Sequence, residues 1–212
     1  MWLATLAAFV FCLSLMPSDA LACACCSEPG TYRISAPKPD SYKLDLLGQM
    51  KFAAKTELYQ TAGEDNIKGL DKLFQNPSSQ SSDAEPLFNL SGMFASKAWK
   101  LNVKSANGQS GTLTLLLPPT MVSFAADIHD GREGGAGGPL LYKEWRFKGN
   151  VGSATGVFQA GIVNPTTYFL VFQGRGNNCD NAEDFTHWRL EVNGKKADYA
   201  FYGEMASGNH GS

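Results

Sequence analysis

The chain reads as a mainly β protein, an antiparallel barrel or sandwich of eight or nine strands with one short N-terminal helix and an extended Cys- and Pro-containing arm. Three observations predict this. After Pro86 the apolar residues recur at every second position, the period that sends alternate side chains to opposite faces of a strand. Turn dipeptides and prolines break the alternating runs at Asn107-Gly108, Pro118-Pro119, Asn164-Pro165 and Asn193-Gly194, and such punctuation between short apolar runs marks hairpins. Helical signals are confined to the first third of the sequence, so the core layers have to come from strands.

Residues 3–16 form an apolar run that ends at Pro17-Ser18-Asp19 and is followed by Ala20-Leu21-Ala22. Small residues three and one positions before the cut suit a signal peptidase, and the run is shorter than the roughly 20 apolar residues that cross a bilayer. The expectation is a cleaved signal peptide over 1–22, despite the lack of Lys or Arg ahead of the run, and an exported chain starting at Cys23 in the periplasm or outside the cell. Cleavage removes one acid, Asp19, and no base, taking the formal charge from −2 to −1. A nearly neutral surface gives no electrostatic footprint for nucleic acid, and no second apolar run is long enough to span a membrane. The partner classes left are a small ligand, a metal ion or an envelope protein.

Residues 23–40 carry Pro29, Gly30, Pro37 and Pro39 and are expected to run extended without regular structure. Ser41 reads as the N-cap of a helix to about Gln49, with Leu44, Leu46 and Leu47 on its apolar side. Residues 50–60 fit helix or strand equally. The stretch 76–86 is a polar loop with nothing apolar to dock it. Residues 41–86 thus link the arm to a β-domain over 87–204, and 205–212 form a polar tail. Within that domain Trp99, Leu101 and Val103 alternate with Lys100, Asn102 and Lys104, and Val122, Phe124, Ala126 and Ile128 alternate with Ser123, Ala125, Asp127 and His129. Thr166–Gln173 is apolar on both faces, the mark of a central strand. The expected buried anchors are Trp99, Phe124, Leu170 and Trp188. Trp145, Phe147, Tyr168, Phe172, Tyr199, Phe201 and Tyr202 join them as core fillers, the alternative being the lining of a ligand cavity.

Cys23-Ala24-Cys25-Cys26 and the distant Cys179 are the sharpest chemical signal. In an oxidising compartment four mature cysteines read as disulfides, with Cys179 bridging to the arm. A bridge between the close neighbours left over is strained, which keeps open a second reading: thiolates at Cys23, Cys25 and Cys26 holding a soft metal, Cu or Zn, with Cys179 or His129 as further ligands. A third reading lipidates Cys23, although Ala20 stands where the usual motif prefers Leu. Asp127 and His129 share one strand face and could hold a cation together; the simpler reading is an Asp that hydrogen-bonds a turn. The glycines after Asp130 do not cradle phosphate, because Gly-Lys-Ser/Thr is missing and a strand follows. Cys179 with His187, oriented by Asp180 or Asp184, is a remote nucleophile candidate. Asn89-Leu90-Ser91 is a glycosylation sequon. The resulting expectation is an exported, non-catalytic β-domain that binds soft metal through the cysteine cluster. The alternatives are a disulfide-stapled or lipid-anchored envelope binding module and, more remotely, a thiol-dependent enzyme.

Overall fold

A computed structural model describes residues 26–60, 70, 88–95, 97–105, 107–133 and 138–208, the side chains at 54, 55 and 57–60 excepted. The expected signal peptide, Cys23, Cys25 and the polar loop 76–86 lie outside the described residues. The elements run β1 (Tyr32–Ser35), α1 (Ser41–Gln49), β2 (Phe52–Gln60), β3 (Phe88–Phe94), β4 (Ala98–Ser105), β5 (Ser110–Leu116), β6 (Met121–Ala126), β7 (Leu141–Gly156), β8 (Thr166–Gly176), β9 (Phe185–Gly194) and β10 (Ala197–Met205), with a 3-10 turn at Ala182–Asp184. None of the described helices is long and apolar enough to cross a membrane.

The fold is mainly β and antiparallel, as expected, with ten strands in the order β1-β6-β7-β5-β4-β3-β2-β10-β9-β8. The long strand β7 makes the sheet barrel-like. On one edge its first half pairs with β6 and its second half with β5, while on the other edge residues 141–150 pair with β8. The last strand in the order therefore returns to the third, and β1 with β6 projects as a wing. A register shift at Thr114/Leu115 lies where β7 passes to β5, and such a bulge bends and twists the pair.

The interior is filled with rings. Trp99, Trp145, Phe147, Tyr168, Phe172, Trp188, Tyr199 and Phe201 are buried, while Tyr202 stays exposed. Trp99 meets Phe147 edge to face at 4.8 Å, and Phe52 meets Trp188 at 5.0 Å, an arrangement that adds quadrupole attraction to the burial of large apolar surfaces. Leu46 and Leu47 of α1 are buried in the same core.

Several local expectations are corrected. The arm contains β1, laid antiparallel on β6 from Tyr32↔Ala126 to Ser35↔Ser123, because Tyr-Arg-Ile-Ser between Gly30 and Pro37 is a short β-forming run with an open sheet edge to join. The cap of α1 is Asp40, whose carboxylate accepts from Lys43 N at 2.9 Å; Ser41 is the first helical residue. Residues 52–60 are a strand, held between β10 and β3. Strand β6 keeps its period of two but turns the other way. Met121 and Ala125 are buried, Phe124 is half-buried and Ile128 exposed, because Ser123 and Ala125 are in register with the inward-facing Trp145 and Lys143 of β7. Asn107-Gly108 makes its turn, with Gly108 at φ 84°. Asn193-Gly194, by contrast, ends β9, and the hairpin turns at residues 195–196. Gly194 lies opposite Thr166, where a Cβ would come 2.6 Å from the Thr166 hydroxyl, so this glycine serves close packing.

Candidate functional site

Strand β8 sends Tyr168, Leu170 and Phe172 inward and then places Gly174 and Gly176 at the next two inward positions. A Cβ at either glycine would collide with Asp184, so the missing side chains admit the loop 177–184 against the end of the sheet's inward face. Directly across the ladder from Gly174 stands Lys143 of β7. Its side chain is 2 % exposed, and its ammonium donates to Asp184 Oδ2 at 2.7 Å and to the Cys179 carbonyl. Asp180 Oδ1 lies 3.5 Å from the same ammonium and its Oδ2 4.0 Å from Lys43 of α1, while the Tyr42 hydroxyl donates to the Asp180 carbonyl at 2.7 Å. A buried lysine is tolerable only when paired and hydrogen-bonded, and this one clasps the loop at three points. Burial pushes the Asp184 carboxyl up from its ordinary value, and Lys143 opposes this without cancelling it.

Cys179 lies within that loop, its backbone amide donating to Asn177 Oδ1 at 3.0 Å. Among the described residues no bridged cysteine pair is complete, and Cys26 is half-buried. His187 is exposed on β9, its Nδ1 2.9 Å from the Thr186 hydroxyl, and Asp184 is held by Lys143. Asp127 and His129 do come together: Nδ1 of the ring is 3.4 Å from Asp127 Oδ2. The Asp127 carboxylate accepts from Gly30 N and from His129 N, each at 2.8 Å. The Gly30 and His129 amides hold it below the usual carboxylate range. This pins the arm to the end of β6 and turns the chain at His129, which has φ 52°. Among the described residues no group of three His, Cys, Asp or Glu side chains could hold a metal ion; Cys23 and Cys25 lie outside them.

Beside the clasp a cleft of about 810 Å³ opens between α1 and the ends of β7, β8 and β9, its polar wall formed by Gln49, Tyr142, Gln173, Arg175, Glu183 and His187. Its cations are already matched. Arg175 pairs with Asp130, and Arg132 lies 3.5 Å from the same carboxylate. Burial alone would raise Asp130, but the Arg132 backbone amide and the Arg175 guanidinium bring it below the usual value. The Gln49, Gln173 and Glu183 side chains, in contrast, have no polar partner among the described residues. Sequence reasoning passed over Gln173 and Arg175. The available signal was two long polar side chains on the outward positions of an otherwise apolar strand, interleaved with two inward glycines.

Compared with protein-family models, curated proteins and solved structures, the chain matches none of them.

Proposed function

We propose that the protein is an exported, non-catalytic binding module that holds a small polar ligand in the cleft beside the Lys143 clasp. The observation that carries this is the division of labour in the cleft wall. Arg132, Arg175 and Asp184 are engaged within the protein, whereas Gln49 of α1, Gln173 of β8 and Glu183 of the 3-10 turn present donors and acceptors with no partner among the described residues. Concave sites with a few convergent polar groups and preorganised walls are where ligands bind with least ordering cost. On this reading the Cys179 bridge, taken here to run to Cys23 or Cys25, serves as a staple for the wall formed by residues 177–184, in keeping with an oxidising compartment.

The test is a thermal-shift screen of the exported protein against small polar metabolites, followed by calorimetry on the hits. At least one hit should lose about tenfold in affinity, about 1.4 kcal/mol, in Gln173→Ala and in Glu183→Ala. A screen without hits, or hits indifferent to both substitutions, would refute the cleft as the binding site.

A further inference from the structure

The strand register places the cleft at one end of a longer surface. Ile34 of β1 is opposite Phe124 of β6, Phe124 opposite Glu144 of β7, Glu144 opposite Gln173 of β8, and Gln173 opposite His187 of β9. Directly opposed residues share a face, so these five form one row across the outside of the sheet, with Gln173 and His187 in the cleft wall. A neighbouring row runs Tyr32, Ala126, Tyr142, Arg175. At the β1 end the surface is aromatic and open. Tyr32 is 65 % and Ile34 57 % exposed, Tyr32 meets Phe124 at 5.4 Å, and Phe124 meets Tyr142 at 6.1 Å. Neighbouring strands are about 4.8 Å apart, so the five strands span about 19 Å from the apolar end to the cleft.

We propose that the ligand is a neutral oligosaccharide lying across these five strands, with its sugar faces on the Tyr32 and Phe124 end and its hydroxyls in the Gln173 end. This inference rests on the cleft reading above and names the ligand class. The charges along the rows are internally compensated. Glu144 accepts from the Tyr142 hydroxyl and pairs with Arg146, whose guanidinium lies 5.3 Å above the Phe124 ring, and Arg175 pairs with Asp130. Among the described residues this surface therefore has no unmatched cation cluster to select an anion. The groups left over suit hydroxyls: an amide both donates and accepts, as a hydroxyl does, and a carboxylate accepts from it. Rings at one end and amides at the other match a ligand with apolar C–H faces and polar edges. A repeating sugar chain presents both along a length that a single small metabolite does not have.

The experiment titrates the exported protein with linear hexasaccharides of glucose, N-acetylglucosamine and mannose and with the matching disaccharides, by calorimetry and by backbone amide shifts. At least one hexasaccharide should bind about tenfold more tightly than its disaccharide, with shifts on β1, β6, β7 and β8. Tyr32→Ala, at an exposed edge position, should bring the hexasaccharide down to the disaccharide level without changing the unfolding temperature. No hexasaccharide binding at about 1 mM, or binding indifferent to chain length and to Tyr32→Ala, overturns the inference. The cleft reading survives that result if small polar hits still depend on Gln173. Hexasaccharide binding lost in Tyr32→Ala but intact in Gln173→Ala removes the cleft reading and, with it, the placement of the sugar hydroxyls at Gln173. Self-association through β1, seen by sedimentation and abolished by Tyr32→Ala, would assign the exposed edge to a second copy and also overturn the inference.

Discussion

Replacing Lys143 with Met tests the clasp with nearly the same volume and no charge. Asp184, whose side chain is 12 % exposed, would then lie against the end of the sheet's inward face without its ammonium partner. Breaking a buried pair from one side costs about 3–5 kcal/mol, because the remaining charge is uncompensated. The carboxyl has an escape, which is to bind a proton. From the ordinary value of 3.8, at about 1.36 kcal/mol per pH unit, that escape costs about 4.4 kcal/mol at pH 7 and about 1.6 kcal/mol at pH 5. The destabilisation should therefore be about 3–4 kcal/mol at pH 7 and no more than about 1.6 kcal/mol at pH 5. The sign follows from linkage. A carboxyl raised in the folded state binds its proton more tightly there than in the unfolded chain, so stability falls as pH rises from 3.8 through the folded value. Urea unfolding at both pH values, followed by tryptophan fluorescence, measures it, since Trp145 and Trp188 are buried. The double variant Lys143→Met with Asp184→Asn should regain at least half of the loss at pH 7. Equal losses at the two pH values, or a loss below about 1 kcal/mol at pH 7, would show that the pair does not hold the loop.

The remaining predictions concern the glycines, the arm and the cysteines. Gly176→Ala puts a Cβ into the Asp184 carboxylate and should cost about 1–3 kcal/mol, whereas Gly48→Ala in α1, with nothing within 4 Å of its Cβ, should stabilise by up to about 1 kcal/mol; calorimetric unfolding compares the two. Asp127→Ala removes the acceptor of the Gly30 and His129 amides and should make the arm an early proteolysis site. Because those amides hold Asp127 below its ordinary 3.8, its contribution is present above that value and lost as pH falls through the folded value, which limited proteolysis across an acid series would follow. Reduced protein that binds Cu(I) or Zn(II) should lose affinity as pH drops and lose it altogether in Cys25→Ser with Cys26→Ser, with the β circular dichroism unchanged; failure of the reduced wild type to compete with a chelator would leave the cysteines as staples.

Much of the architecture was legible in the sequence because it depends on local period and turn chemistry. The alternation Trp99, Leu101, Val103, the doubly apolar Thr166–Gln173 and the Asn107-Gly108 turn need no knowledge of what they pack against, and each appears as read. So does the burial of Trp99, Leu170 and Trp188. Tertiary structure decided which side a strand shows. In β6 both faces carry apolar residues, and only the register with Lys143 and Trp145 sends Phe124 outward. It also decided that Asn193-Gly194 ends a strand, because Thr166 lies against Gly194, and that part of the arm becomes β1, because an edge of β6 was open to it. The cleft is the extreme case. Lys143 and Asp184 are 41 positions apart and meet only where two glycines of β8 leave room for a loop. Period and propensity describe each residue against its near neighbours; a site whose members are joined by strand pairing exists only once the register is set.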